Sequence, residues 1–184
     1  MGKSLVKGCV LGGIILFVWG FFSWVVLPWH NMTFNTFKDP VEVGKVIAKN
    51  AMEDGVYIMP CDHCNKEDRP LSASEKESVH KGPFVFATVR LSGISSPHMV
   101  KEIVRSLFIQ ALAALFATWI LVHTKGLKYW KKVRLVAVLG LFAGILAYLP
   151  MWNWMAASSG YTVVGIADYL VGWFFAGLAI AKVA

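Results

Sequence analysis

Charged residues are scarce in this chain. Lys, Arg, Asp and Glu make up 16% of its 184 residues, whereas hydrophobic residues make up 57%. Soluble domains average about 25% charged and roughly 45–50% apolar residues. The scarcity of charge therefore excludes an ordinary soluble domain and predicts a membrane protein.

Acidic residues are absent from the short segments that flank the apolar runs, whereas segment 29–102 holds almost equal numbers of acids and bases. The flanking basic residues are Lys3, Lys7, Lys125, Lys128, Lys131, Lys132, Arg134 and Lys182. Excess Lys and Arg in short segments near a membrane mark its cytoplasmic side. The net charge of +7 is therefore interpreted as a topology signal. No nucleic-acid partner is expected.

Motifs that carry catalysis are also missing. The sequence has no phosphate-binding loop, no nucleophile elbow and no zinc-protease helix. With 3 cysteines it has no dense disulfide framework either. These absences indicate a protein that is not an enzyme.

Four apolar stretches have lengths within the range of about 17–25 residues that transmembrane helices use. They span residues 8–29, 101–123, 133–149 and 162–182, and Pro150 is expected to end the third. A cleaved signal peptide is the competing interpretation of the first stretch. The apolar run is longer than such a peptide needs and lacks a small-residue cleavage pattern, which favours a transmembrane helix.

The polar segment 30–100 between the first two stretches predicts a small α+β cap. Asp39 is a helix N-cap signal, and the following residues show helical apolar spacing. Residues 56–59 and 84–91 are strand candidates. The Lys-, Glu- and Ser-rich tract 65–81 is expected to be a loop. The predicted fold class is an α-helical membrane protein with four transmembrane helices and an extracytoplasmic helix-plus-two-strand cap.

An even number of spans places both termini on the same side of the membrane. The basic flanks predict that this side is cytoplasmic and that residues 30–100 are periplasmic. Trp24 and Trp29 fit an interfacial aromatic belt on the outer face. His30 is expected to be a polar residue at the same interface.

The pair Cys61 and Cys64 permits three interpretations. A local disulfide that closes the base of a loop suits an oxidising compartment. A redox-active pair is the first alternative, because a CxxC arrangement lowers the pKa of a thiol. A zinc or other transition-metal site with His63 and His80 is the second, since zinc binds Cys and His in tetrahedral sets. Otherwise no cofactor is expected.

Asp168 lies within the fourth predicted span, where acidic residues are rare and usually face protein or water. Arg105 lies near the outer end of the second span. An intramembrane ion pair between them would offset the desolvation of both charges. The alternative is a proton or ion relay, which normally requires further intramembrane acids.

Small residues recur four positions apart in three of the spans, a pattern that allows helices to approach closely. They are Gly8, Gly12, Gly140, Gly144, Gly172 and Ala176. They predict packing faces, either within one bundle or against a neighbouring protein.

Three short motifs, Leu27-Pro-Trp-His30, Gly55-Val-Tyr57 and Gly82-Pro-Phe-Val-Phe86, accompany this architecture. Together they resemble small uncharacterised bacterial inner-membrane proteins with a periplasmic insert. The resemblance implies a bacterial inner membrane and no particular activity. The expected function is that of an accessory or scaffold subunit that docks through its periplasmic cap. The alternatives are a membrane-anchored thiol–disulfide oxidoreductase that uses Cys61 and Cys64, and a metal-binding sensor. The expected partners are membrane lipid and other membrane-protein subunits or further copies of the chain.

Overall fold

The computed structural model describes residues 2–61, 71–124 and 126–184. In these residues the chain forms mostly helices, together with one two-stranded sheet. The elements in order are α1 (Gly2–Phe21), α2 (Pro40–Asn50), β1 (Gly55–Met59), α3 (Ala73–Lys81), β2 (Val85–Val89), α4 (Ser96–His123), α5 (Tyr129–Trp154) and α6 (Ser159–Val183).

The chain divides into two compact units. The first contains residues 2–34, 95–153 and 157–184, and the second contains the described residues of 35–94 with 154–156. Within the first unit, α1, α4, α5 and α6 are long and apolar enough to cross a membrane. This confirms the prediction of four candidate spans and is consistent with a multi-pass membrane protein.

The long helices extend beyond the predicted apolar stretches. The first begins at Gly2 instead of residue 8, and its last part, Phe22–Val26, is π-helical. Helix α5 does not stop at Pro150 but runs on to Trp154. A proline within a membrane-spanning helix is tolerated because neighbouring groups can satisfy the backbone carbonyl that it leaves without a donor. The predicted end at Pro150 was therefore wrong.

The core of the first unit forms where α1, α4, α5 and α6 meet. Its buried apolar residues include Leu16, Ala114, Leu121, Val136 and Ile180. Helices that pack in lipid gain little from burying apolar surface, so close backbone approach and dispersion contacts hold such bundles together. Small side chains at the contacts allow the helix backbones to approach each other closely.

The predicted small-residue faces lie at contacts between helices of this unit. A β-carbon on Gly8 would clash with Thr118 of α4, and one on Gly12 would lie 2.7 Å from Ile180 of α6. The remaining glycines show the same pattern: Gly140 faces Trp173, Gly144 faces Tyr169, and Gly172 faces Trp19. Ala176 is fully buried. These residues pack the bundle internally.

The sheet of the second unit is a single antiparallel pair. Strand β1 pairs with β2 so that Gly55 lies opposite Val89 and Met59 lies opposite Val85. Helix α2 begins where the sequence predicts, because the Asp39 side chain accepts a hydrogen bond from the Glu42 amide at 2.9 Å. The predicted helix and both strands are confirmed.

Helix α3 is the main departure from prediction in the second unit. The sequence predicted a loop over 65–81, whereas Ala73–Lys81 is helical. Ser72 and Glu75 form a reciprocal capping box, in which each side chain bonds the other residue's amide. Lys81 and Glu77 add an ion pair one turn apart. A helix without an apolar face can therefore form from capping and charge pairing.

Candidate functional site

The candidate site begins where helix α1 changes its winding. The Leu27 amide bonds to the Phe22 carbonyl at 3.1 Å, five residues back, instead of to the Ser23 carbonyl. Pro28 has no N–H, so it cannot serve the Ser23 carbonyl either. The Trp29 indole donates to that carbonyl at 3.1 Å. The π-helical turn and Pro28 thus draw the following residues back against Ser23.

Ser23 joins this turn to helix α6. Its hydroxyl donates to Oδ1 of Asp168 at 2.7 Å and accepts a bond from the Trp29 indole at 3.0 Å. Ser23 is fully buried, and Asp168 is 8% exposed. Asp168 therefore receives a short hydrogen bond from the segment that continues helix α1.

His30 completes the polar cluster. Its Nε2 atom lies 3.1 Å from the Ser23 hydroxyl and 3.5 Å from Oδ2 of Asp168. Its ring stacks on Trp24, with centroids 3.9 Å apart and planes only 10° from parallel. The side chain is 1% exposed, so His30 is a buried member of the site. Its predicted position at the membrane interface stays a prediction.

His30 meets both polar partners through one ring nitrogen. The Ser23 hydroxyl, which donates to Asp168, lies 3.1 Å from His30 Nε2, and Oδ2 of Asp168 lies 3.5 Å from the same atom. A hydrolytic Ser-His-Asp triad needs serine and aspartate on different ring nitrogens. Here both lie against Nε2, so the cluster does not have that geometry.

Trp19 binds the same carboxylate from helix α1. Its indole N–H lies 2.7 Å from Oδ1 of Asp168 and 3.2 Å from the Asp168 backbone carbonyl. The indole fits there because Gly172 has no side chain, and a β-carbon at that position would lie 2.6 Å from Cδ1 of Trp19. Gly172 thus makes room for the tryptophan that holds Asp168.

The predicted ion pair between Arg105 and Asp168 is not formed. The Arg105 guanidinium instead contacts Glu102 on its own helix at 3.1 Å, and both side chains are exposed. Helix geometry explains the difference. Arg105 precedes the buried Ala114 by nine residues, which at about 100° per residue places them on opposite faces of α4. Asp168 obtains its partners from α1 and the segment after it.

The cysteine and metal-site hypotheses stay predictions. Cys61 is partly buried just after β1, whereas His63 and Cys64 lie outside the described residues. His80 is on an exposed face of α3. Among residues 2–61, 71–124 and 126–184, no group of three or more His, Cys, Asp or Glu side chains is placed to hold a metal ion.

Sequence reasoning found Asp168 but missed Trp19, Ser23 and His30. A charged side chain in one apolar stretch needs hydrogen-bond donors. The indole of Trp19, the hydroxyl of Ser23 and the imidazole of His30, in or just after another apolar stretch, are therefore a usable signal. The sequence position of Pro28 adds a second signal, since it removes an amide at the end of a helix. The π-helical turn itself has no recognisable sequence pattern.

Comparison with known proteins finds no matching family model, curated protein or solved structure. Function must therefore be argued from the residues themselves.

Proposed function

We propose that this protein is a non-enzymatic accessory or scaffold subunit of a larger membrane complex, and that its second unit docks on a partner. The proposal places it in a bacterial inner membrane with both termini cytoplasmic and residues 30–100 periplasmic. The basic flanking segments support that orientation.

The observation that carries the proposal is the exposure of the second unit. No residue in its described part is buried. Several large apolar side chains are strongly exposed, with Met52 at 87% and Ile94 at 82%. Scattered apolar residues are normal on a surface, but contiguous apolar area indicates an interaction site.

The sheet gives the same indication. Tyr57, Met59 and Val85 lie on one face of the β1–β2 pair, whereas Ile58 and Phe86 lie on the other, because side chains alternate along a strand. Both faces therefore carry apolar side chains. A two-stranded sheet is marginal in water without cover, so a sheet that is apolar on both faces favours a partner.

Charge distribution favours a protein partner over the lipid surface. Binding to anionic headgroups requires an excess of Lys and Arg on the contacting segment. Segment 29–102 has almost equal numbers of acids and bases. We therefore propose the extracytoplasmic part of another membrane protein as the partner, with a second copy of this chain as the alternative.

Co-purification at native expression level tests the proposal. A tagged wild-type chain, extracted in mild detergent, should bring down one partner in fixed stoichiometry. Val46 on α2 is 52% exposed, and a charge there would disrupt an apolar contact. Val46→Lys should therefore release the partner, whereas Lys45→Ala, about 100° round the same helix from Val46, should retain it.

The contrary result is a wild-type chain that runs as a monodisperse monomer with nothing bound. That outcome would remove the main support for an accessory subunit. Release of the partner by both variants would instead indicate that the second unit had lost its fold, which circular dichroism of the purified variants would reveal.

A further inference from the structure

A cavity of about 310 Å³ lies beside Asp168, inside the unit formed by the four long helices. Residues of all four helices line it. Five of the residues that line it are aromatic: Trp19, Trp24, Tyr148, Tyr169 and Trp173. The volume falls at the lower end of the range for small-molecule sites, roughly 300–1,000 Å³.

The aromatic rings approach the cavity from more than one direction. Tyr148 and Tyr169 have their centroids 6.0 Å apart and their planes at 79°. Rings at this distance and angle pack against each other edge to face, and both line the cavity. The face of an aromatic ring carries negative charge density and attracts a cation within about 6 Å.

Asp168 supplies the only formal charge among the residues that line the cavity. The lining contains no Lys, Arg or His side chain, and its other polar side chains include the amide of Gln110. The negative charge is therefore not compensated on the cavity side. The nearest basic group, His30, reaches Asp168 from outside that lining.

The carboxylate also has unused hydrogen-bonding capacity. Oδ1 accepts from both Trp19 and Ser23 at 2.7 Å. Oδ2 has only His30, at a distance of 3.5 Å. A carboxylate offers about four acceptor positions. The network thus holds Asp168 in place by one oxygen and leaves the second weakly engaged.

We propose that this cavity binds a small organic cation of the quaternary ammonium class. A carboxylate beside several aromatic side chains is an arrangement that recognises such ligands, because cation–π attraction adds to ionic attraction. A metal ion is a poorer fit, since one carboxylate provides few of the oxygen ligands that hard cations require.

The experiment compares choline with 3,3-dimethylbutan-1-ol, its uncharged carbon isostere. Isothermal titration is performed on the full-length protein in a maltoside detergent, which contains no ammonium group. Choline should bind one per chain and at least about tenfold more tightly than the isostere. Equal affinities, or no choline binding, would overturn the proposal.

Variants locate the site. Asp168→Asn keeps an acceptor for Trp19 and Ser23 but removes the charge, so choline affinity should fall at least about tenfold, by roughly 1.4 kcal/mol. Glu102→Gln makes the same change at an exposed position and should leave the affinity unchanged. Asp168→Asn with wild-type choline affinity would contradict the proposal.

Tyr169 provides a second test that does not touch the carboxylate and applies even where Asp168→Asn fails to fold. Tyr169→Phe keeps the ring and should bind choline within about twofold of wild type, whereas Tyr169→Leu should lose about threefold to tenfold. Equal affinities for the two variants would show that the ring does not contact the ligand, and would overturn the aromatic part of the site.

Discussion

The indole N–H of Trp19 donates a 2.7 Å hydrogen bond to the Asp168 carboxylate, joining the first and last long helices. Ser23 donates to the same oxygen at the same distance. The acid inside the bundle is thus held by neutral donors, and the nearest basic group is a histidine. This arrangement stabilises the contact between α1 and α6 and leaves one carboxylate oxygen near an aromatic cavity.

Replacing Asp168 with alanine should destabilise the bundle. Trp19 and Ser23 would each lose their acceptor, and an unsatisfied buried donor costs about 1–3 kcal/mol. We expect the free energy of unfolding to fall by about 2 kcal/mol or more, measured by SDS titration in mixed micelles. Asp168→Asn should cost less because it retains an acceptor.

Arg105→Gln is the matched control for this prediction. Its guanidinium contacts only the exposed Glu102 side chain, so its loss should change the free energy of unfolding by no more than about 0.5 kcal/mol. A loss as large as that of Asp168→Ala would mean that the arginine supports the acid after all.

Gly172→Ala should displace the Trp19 indole. The added β-carbon would lie 2.6 Å from Cδ1 of that ring, and the helices would have to move apart to accept it. Overpacking of this kind costs typically about 1–3 kcal/mol. Thermal unfolding in detergent should show the loss, together with a change in the near-ultraviolet circular dichroism of tryptophan.

Gly20→Ala tests whether that effect is steric. A β-carbon at Gly20 would have no heavy atom within 4 Å apart from its chain neighbours and the backbone of its own helix. Stability should stay the same or rise by about 1 kcal/mol, because alanine favours the helix over glycine. If both variants lost equal stability, the close approach of Gly172 to Trp19 would not be the cause.

Removing the cap of α3 should loosen that helix alone. Ser72→Ala deletes the side-chain acceptor for the Glu75 amide, at a cost of about 1 kcal/mol. Hydrogen exchange over residues 73–81 should become about fivefold faster, the equivalent of ~1 kcal/mol. Ser78→Ala removes a hydroxyl from within the same helix and should leave the exchange rates nearly unchanged. Identical rates in wild type and Ser72→Ala would contradict the capping role.

Cysteine labelling should show the orientation of the chain. In a background with Cys9, Cys61 and Cys64 replaced by serine, Asn50→Cys should react with a membrane-impermeant maleimide added to intact spheroplasts. Lys128→Cys should react only after the membrane is permeabilised. The reverse pattern would place residues 30–100 in the cytoplasm.

The long helices were predictable from the sequence, because a helix that crosses a bilayer needs about 20 consecutive apolar residues. The strands were predictable as well, because their side chains alternate between two faces along the sequence. The observed pairing, with Gly55 opposite Val89, is that of two such strands. The end of the third helix was not, because Pro150 breaks helices in water but is tolerated inside a bundle. Helix α3 carried a signal, Ser72-x-x-Glu75, that the missing apolar periodicity obscured.

The candidate site was only half predictable. Asp168 stood out because a charge is rare in an apolar run. Its partners did not, because the contact of Ser23 and His30 with the acid depends on one π-helical turn and on where Pro28 redirects the chain. Arg105 was assigned by depth alone. Counting helical angle from Ala114 would have placed it on the opposite face.

Site-specific photo-crosslinking at native expression level tests the central claim most directly, that the second unit docks on a partner protein. A benzophenone amino acid replaces Val46 on the apolar face of α2, or, as the control, Lys45, which lies about 100° round the same helix from Val46. The account predicts one discrete adduct from position 46, containing another membrane protein or a second copy of this chain, and none from position 45. Adducts of equal yield from both positions, or none from either, would contradict it.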